Sequence, residues 1–536
     1  MINTLTYISL ILSLFACSDK NSHLSPQDIK EKTCAVKVMN SFDEMNCEVY
    51  DMNILPNSTH GTIDRFISND CMEGHGSFEL VCSFKGKSSI DEEKAYFRQT
   101  WGDYRCDLSF HPLALSIWVK GEIPDKATFR FLIIQDIDQF NPKSPHDPAR
   151  WQYFEYVDAQ VLSKGKWTQI IMPYHLFKFV GGKDLGDNKL ELNRFVGYQI
   201  ELVNRSNKAW KGSIYIDKLE QLTSYIPPYK GKPKFSSIFI QPNEVYADKE
   251  WDEDFKASKL IGIDTWIVQY AEQFDDRISD KTSFYTPTAL PWVSKQYGII
   301  NRMFEAASRQ DVKLILGLYP GDYSKEDTND PTQYDLLYER NKQVFDELYS
   351  LYGQHPNLAG WYITEEFHDG SFPVGWQQEP ALSLLAQYIQ RVAAYVKSKS
   401  LKTVCIAPAL WRGMPADLCG KWFGRLFAQT PDIDVLYLQD IGGRCLVDFD
   451  VDLPNWYTEI KKACDANGVT FGVDIESFKS CWCPNIPMRG KSWEELREQL
   501  LIAGLFTDHI TNFSWVTFNP NSKAYEGYKK YLNENK

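Results

Sequence analysis

Gly360-Trp-Tyr-Ile-Thr-Glu-Glu-Phe-His368 opens as an uncharged run of aromatic and β-branched residues and closes on two adjacent carboxylates. A run of that kind is a strand buried on both faces, as in a parallel sheet. Packing alone does not ask for acids where it ends. The same arrangement recurs in Thr470-Phe-Gly-Val-Asp-Ile-Glu-Ser-Phe478, where Asp474 and Glu476 follow apolar residues. Two parallel strands that each end in an acid place a carboxylate pair on the C-terminal rim of a barrel, where side chains leave the packed interior.

Around these two stretches the chain alternates short apolar strands with helical windows. Strands are expected at residues 237–241, 265–270, 312–318, 359–364, 403–407, 435–439, 470–475 and 512–518. Helices are expected at 251–260, 299–310, 333–352, 381–398, 418–428, 456–467, 493–506 and 522–533. Eight βα units in about 300 residues are the count and size of a (β/α)₈ TIM barrel, a C-terminal α/β domain over 236–536.

Polar groups collect at the predicted strand ends: Gln241, Gln269, Tyr270, Tyr319, Glu365, Glu366, Gln439, Asp440, Asp474, Glu476 and Asn519. Alternation chooses within the acidic pairs. If Gly360 and Gly472 face the crowded interior, then Tyr362, Thr364, Glu366, Asp474 and Glu476 face it too, and Glu365 points outward. A bulge at the strand end would invert the choice between Glu365 and Glu366. Clustered carboxylates repel one another, which raises some pKa values and leaves one acid protonated beside an ionised partner. Glycoside cleavage needs that asymmetry. Trp292, Trp376, Trp411 and Trp482 lie in the rim-side loops, and aromatic faces stack on sugar rings. His368 follows the acidic pair and is expected either to orient one of its members or to be a plain surface histidine.

The first half of the chain reads differently. Period-two segments at 77–84, 113–119, 127–134, 165–172, 195–202 and 212–219, with turn residues between them, indicate an all-β antiparallel sandwich over 34–222. Trp118 and Trp167 fall inside apolar strands and are expected in its core. Trp101 and Trp151, in polar or turn-like surroundings, are the candidates for sugar stacking. Tyr225-Ile-Pro-Pro-Tyr-Lys-Gly-Lys-Pro-Lys234 marks a linker over 223–235.

Met1 to Ala16 is apolar, too short to span a bilayer, and ends at Leu14-Phe-Ala-Cys17 before polar residues. Such a segment resembles a bacterial lipoprotein signal over 1–17 with Cys17 as the lipidated residue, followed by a tether over 18–33. The expected location is therefore outside the cytoplasm, at the outer membrane or cell surface, with the periplasmic face as an alternative. The formal net charge of −13 argues against nucleic acid as a partner, which needs a basic footprint. No cofactor is expected, since no Gly-rich phosphate loop follows a strand. Cys481-Trp-Cys483 lacks a second Cys or His pair at zinc spacing, so no metal is expected either.

Gly360-Trp-Tyr-Ile-Thr-Glu-Glu366, Tyr437-Leu-Gln-Asp-Ile-Gly-Gly443 and Val473-Asp-Ile-Glu-Ser-Phe478 together resemble an uncharacterised bacterial domain-of-unknown-function family of TIM-barrel lipoproteins. They are also similar to the clan A glycoside hydrolases. That resemblance implies a glycosidase acting on an oligo- or polysaccharide, with Glu366 as acid/base, Glu476 as nucleophile and retention of configuration. The clan has Asn immediately before the fourth-strand glutamate, whereas here Glu365 precedes Glu366 and Thr364 precedes Glu365, so Glu365 stays open as a catalytic candidate. Gln241, Gln269, Tyr270, Tyr319, Tyr362, Trp411, Gln439, Asp440, Asp474 and Trp482 are the expected substrate-binding residues. The N-terminal pattern is similar to the jelly-roll modules attached to glycan-degrading enzymes. A monomer is expected. The competing expectation is a surface glycan-binding lipoprotein whose barrel has lost catalysis.

Overall fold

The computed structural model describes residues 24–42, 61–86, 92–100, 107–123, 126–137, 148–158, 165–206, 208–229, 231–274, 281–287, 290, 292–321, 329–369, 379–411, 413–443, 451–480 and 488–534. The chain forms two compact units, Met1–Ile226 and Pro227–Lys536.

The first unit is an antiparallel β-sandwich. One sheet runs Gly61–Ser68, Ser77–Phe84, Trp210–Thr223, Pro112–Gly121 and Thr168–Pro173, with Ala35–Asn40 paired to the far end of Trp210–Thr223. The other runs Glu93–Thr100, Phe195–Asn204, Ala127–Asp136, Trp151–Asp158 and Lys178–Gly182. Phe78 of the first sheet meets Phe97 of the second edge-on, ring centroids 5.9 Å apart, across the core. Several strands, Glu93–Thr100 among them, carry too many polar residues for an apolar run to announce them.

The tryptophan expectations are corrected here. Trp151 is buried with Ile134 and Val196, whereas Trp118 and Trp167 are only half-buried. Trp118 alternates with the fully buried Ile117 and Val119, so strand parity turns its indole away from the core. Trp167 donates its indole N–H to Asp70 Oδ1 at 3.3 Å. Trp101 lies outside the described residues.

The second unit is a closed barrel of eight parallel strands. We number them β1 (Ser237–Ile240), β2 (Thr265–Val268), β3 (Lys313–Gly317), β4 (Leu358–Ile363), β5 (Thr403–Ile406), β6 (Val435–Gln439), β7 (Thr470–Glu476) and β8 (Ile510–Phe513). The helices that follow them are α1 (Asp252–Leu260), α2 (Ile299–Gln310), α3 (Pro331–Tyr352), α4 (Ala381–Lys399), α5 (Ala416–Phe427), α6 (Asp452–Asn467), α7 (Trp493–Ala503) and α8 (Lys523–Asn533). The last strand departs from expectation. It ends at Phe513, because Thr517 and Phe518 N–H groups both turn back to the Ser514 carbonyl and close residues 514–518 into a turn. A small sheet of Glu272–Phe274, Lys281–Ser283 and Lys295–Gln296, unannounced by the sequence, is inserted between β2 and α2.

Two apolar layers hold the barrel. Trp266, Trp361, Ile363, Val473 and Ile475 point outward and pack with the helices. Phe239, Ile267, Ile315, Tyr362, Cys405, Val435 and Tyr437 fill the interior. Gly472 is required by that filling, since a Cβ there would lie 2.8 Å from Tyr437 Cδ1. Among the described residues no helix is long and apolar enough to cross a membrane.

Candidate active site

At the C-terminal ends of the strands a cavity of about 300 Å³ is lined by Gln241, Gln269, Glu366, His368, Ala409, Trp411, Gln439, Ile441, Glu476, Phe478 and Phe513. A larger groove, about 570 Å³, opens between α1 and α8 with Tyr246, Trp515 and Asn519 in its wall, but neither Glu366 nor Glu476 lines it.

Strand parity brings Glu366 into the cavity and sends Glu365 the other way. The Tyr362 ring, two residues before Thr364, packs edge-on against Phe239 inside the barrel. Thr364 Oγ1 donates to the Tyr319 carbonyl at 2.8 Å and ties the end of β4 to that of β3. Glu365 is buried behind the wall, where its Oε2 accepts from the Tyr388 hydroxyl of α4 at 3.0 Å. Burial pushes the Glu365 carboxyl up to about 7, and the neighbouring Glu366 charge adds to the rise. Glu366 Oε1 instead accepts from Gln439 Nε2 at 3.1 Å, and that amide nitrogen also donates to the Ala407 carbonyl at 2.7 Å. Gln439 thus fixes the acid of β4 from β6.

Glu476 is held by the loop after β6. Asp440 Oδ1 accepts from Gly442 N–H at 2.9 Å and from Glu476 N–H at 3.2 Å. The resulting turn directs Gly443 N–H onto Glu476 Oε2 at 2.7 Å. Ile441, inside that turn, sits at φ 52°, a left-handed conformation that a β-branched residue adopts only under constraint from its neighbours. Gly443 leaves no room for a side chain, because a Cβ there would fall 2.7 Å from both Glu476 Oε2 and the Phe478 carbonyl.

The expected binding residues divide accordingly. Gln241, Gln269, Trp411 and Gln439 line the cavity with Glu366 and Glu476. Tyr270 is within electrostatic reach of Glu366: burial pushes its phenol up to about 12, and the carboxylate adds to the rise. Tyr319 serves as a backbone partner between Asn341 and Thr364. Tyr362 belongs to the packed interior.

Asp440 and Asp474 are fully enclosed and do not line the cavity. Asp440 spends its oxygens on backbone N–H groups and on Gln499. The Asp474 carboxyl is pushed well above its ordinary value by burial and by the charges of Asp440, Glu476 and Glu366. Trp482, Trp376 and Cys17 lie outside the described residues.

Some neighbours of the site, Asp369 and Phe513 among them, carry no local signal in the sequence. Asp369, fully buried, accepts from the N–H groups of Trp411 at 2.5 Å and Met414 at 3.2 Å and so shapes the loop that presents Trp411. His368 lies 5.3 Å from Trp411, ring to ring, and burial lowers its imidazole to about 4, which keeps it neutral near pH 7. Phe478 and Phe513 add apolar wall to the cavity. Among the described residues no group of three or more His, Cys, Asp or Glu is placed to hold a metal ion.

The profile of a domain of unknown function, DUF4434, matches residues 236–524, more than half of the chain and all eight barrel strands. The chain belongs to the DUF4434 family. Among solved structures, the chain is similar to a "putative alpha-L-fucosidase" from Bacteroides thetaiotaomicron at 22% identity, covering 58% of this chain and 95% of that one with a TM-score of 0.44. It is similar to the CBM22-1–GH10 modules of endo-1,4-β-D-xylanase 10B from Clostridium thermocellum at 9% identity, covering 92% and 96% with a TM-score of 0.33. The family 11 carbohydrate-binding module of a cellulosomal cellulase of Clostridium thermocellum matches at 15% identity over 35% of this chain and 95% of its own, with a TM-score of 0.25. No curated protein matches the chain.

Proposed function

We propose that this DUF4434 protein is a glycoside hydrolase that cleaves an oligo- or polysaccharide with Glu366 and Glu476. The observation that carries the reading is that both carboxylates, delivered by strands three apart around the barrel, enter one cavity of about 300 Å³ walled by Trp411, Phe478, Phe513 and side-chain amides. Aromatic faces stack on the C–H faces of sugar rings, and the amides of Gln241, Gln269 and Gln439 offer hydrogen bonds to hydroxyl groups. In the cleavage, Glu366 donates a proton to the leaving glycosidic oxygen. Glu476, oriented by Gly443 N–H, attacks the anomeric carbon, and Glu366 then takes a proton from the water that releases the sugar. Retention follows from that sequence of steps. Glu365, behind the barrel wall, takes no part in it.

The proposal extends to the rest of the chain. Cys17 carries a lipid anchor that holds the exported, monomeric protein at the outer membrane or cell surface, and the N-terminal sandwich is a jelly-roll module of the carbohydrate-binding type. The test is reducing-sugar release from a panel of glycans by the wild type, Glu366→Gln and Glu476→Gln. Turnover by the wild type and a loss of about 10³-fold or more in each variant are expected. Glycan binding without release by the wild type would instead assign the protein to non-catalytic surface capture.

A further inference from the structure

Beneath the cavity, and not touching it, lies a buried cation. Lys491 is 4% exposed. It follows the short antiparallel pair Phe478–Lys479 and Arg489–Gly490, and its N–H donates to the Ser477 carbonyl at 2.9 Å. Burying an ammonium costs several kcal/mol unless opposite charge and hydrogen bonds answer it. Lys491 Nζ donates to Gln499 Oε1 of α7 at 2.6 Å, and Gln499 Nε2 donates to Asp440 Oδ2. The amide orientation is dictated by chemistry. An ammonium only donates and a carboxylate accepts, so the carbonyl oxygen must face Lys491 and the NH₂ must face Asp440.

Asp440 therefore receives three donors, from Gln499, Gly442 and Glu476. A carboxylate that accepts three bonds is the ionised form. Yet burial alone drives the Asp440 carboxyl toward protonation, and the charge of Lys491 is the largest influence opposing it. Protonated Asp440 would bring a hydroxyl hydrogen into a shell already made of donors. The turn that aims Gly443 N–H at Glu476 Oε2 would then lose its anchor.

We propose that Lys491 and Gln499 are positioning residues of the active site: the ammonium, relayed through the Gln499 amide, keeps Asp440 ionised, and Asp440 in turn fixes both the backbone and the carboxylate of Glu476. The inference rests on the glycosidase reading for its catalytic consequence, while the coupling itself stands apart from it. The charges facing Lys491 are Asp440 from the end of β6, Glu476 from β7, Glu495 from α7 and Lys479 from the hairpin. Glu495 is already paired with Arg489. Burial lowers the Lys491 ammonium to about 8, with Asp440 and Glu476 holding it from falling further. Activity should therefore decline on the alkaline side as this proton leaves.

The experiment is kcat and KM from pH 5 to 10 for the wild type, Lys491→Met and Gln499→Leu, with the thermal unfolding of each checked alongside. Both variants should lose about 10- to 100-fold in kcat with KM nearly unchanged, as misplacement of a catalytic group by up to about 1 Å does. The alkaline limb near pH 8 should vanish from Lys491→Met. Folded variants with wild-type kcat and an unmoved alkaline limb would overturn the proposal. A second measurement needs neither activity nor those variants. In ¹⁵N-lysine-labelled protein, Asp440→Asn should lower the Lys491 pKa, because a carboxylate that raises it is gone, and an unmoved titration would overturn the coupling. A wild type that cleaves no glycan, yet shows that shift, would sink the glycosidase reading and leave the Lys491–Gln499–Asp440 linkage standing.

Discussion

Glu365 and Glu366 are adjacent in sequence and opposite in environment, and their substitutions should separate accordingly. Glu366→Gln removes a carboxyl from the cavity, whereas Glu365→Gln changes a group that hydrogen-bonds Tyr388 behind the wall. We expect the first to abolish glycan cleavage and the second to leave most of it. The Glu365 variant also has a pH signature. The folded-state pKa of about 7 lies above the unfolded value, so the native state holds its proton longer. This group therefore subtracts stability as pH rises from about 4 to about 7. Glu365→Gln should be roughly 3 kcal/mol more stable than wild type at pH 8 and equal to it at pH 4, measured by urea unfolding. Gly443→Ala tests the other carboxylate. Its Cβ would sit 2.7 Å from Glu476 Oε2, so the Gly443 N–H contact cannot survive. A loss of about 10²-fold in kcat is expected from removal of one such oriented donor, while far-UV circular dichroism stays that of the wild type.

At the scale of elements, side chains from the surrounding helices hold the site in place. Helix α7 begins with a capping box: Ser492 Oγ accepts from Glu495 N–H, and the Glu495 side chain accepts from Ser492 N–H at 2.8 Å. Two turns on, the same helix supplies Gln499 to Asp440. Ser492→Ala should cost about 1 kcal/mol of stability by loss of the cap, read from the urea midpoint. Helices α3 and α4 work similarly from the other side. Asn341 accepts from Tyr319 N–H at 3.1 Å and donates to Tyr388 at 2.9 Å, and that hydroxyl supports Glu365. The strand ladder itself continues past the barrel at the rim, with bridges joining His368 to Ala409 and Ala409 to Gln439. Those bridges set the residues after β4 and β5 level with the last residue of β6, which is where the cavity forms.

Over the whole molecule, each compact unit has its own sheets and core, and the barrel closes on itself through the β1–β8 pairing of Ser237 with Thr511 and Ile238 with Asn512. A closed barrel leaves no strand edge that needs a partner. The fragment Pro227–Lys536 should accordingly be soluble and melt in a single cooperative transition, observed by circular dichroism. An aggregated fragment would show that the sandwich is needed to complete the barrel's fold.

How much of this was legible in the residues depends on whether a signal is local. The barrel was, because each strand buried on both faces reads as an apolar run, and each helix between them repeats its apolar residues near every fourth position. The inward orientation of Glu366 and Glu476 was also within reach, since two-residue alternation from Gly360 and Gly472 is a property of the strand alone. Sandwich strands such as Glu93–Thr100 were not, because Lys94 and Arg98 alternate with the core residues while Glu93 and Gln99 are polar yet buried, which leaves no apolar run. Nor was the enclosure of Asp440: its position at a strand end is that of a ligand-binding acid, and only the approach of Gln499, 59 residues further on, closes it off. Lys491 and Asp369 were invisible for the same reason. Sequence by itself determined which residues each strand presents to the interior, because backbone geometry fixes that within a few residues. The tertiary structure alone decided which of the presented acids meet solvent and which are walled in by partners from distant helices, because burial and charge pairing are set by neighbours that chain order does not bring together.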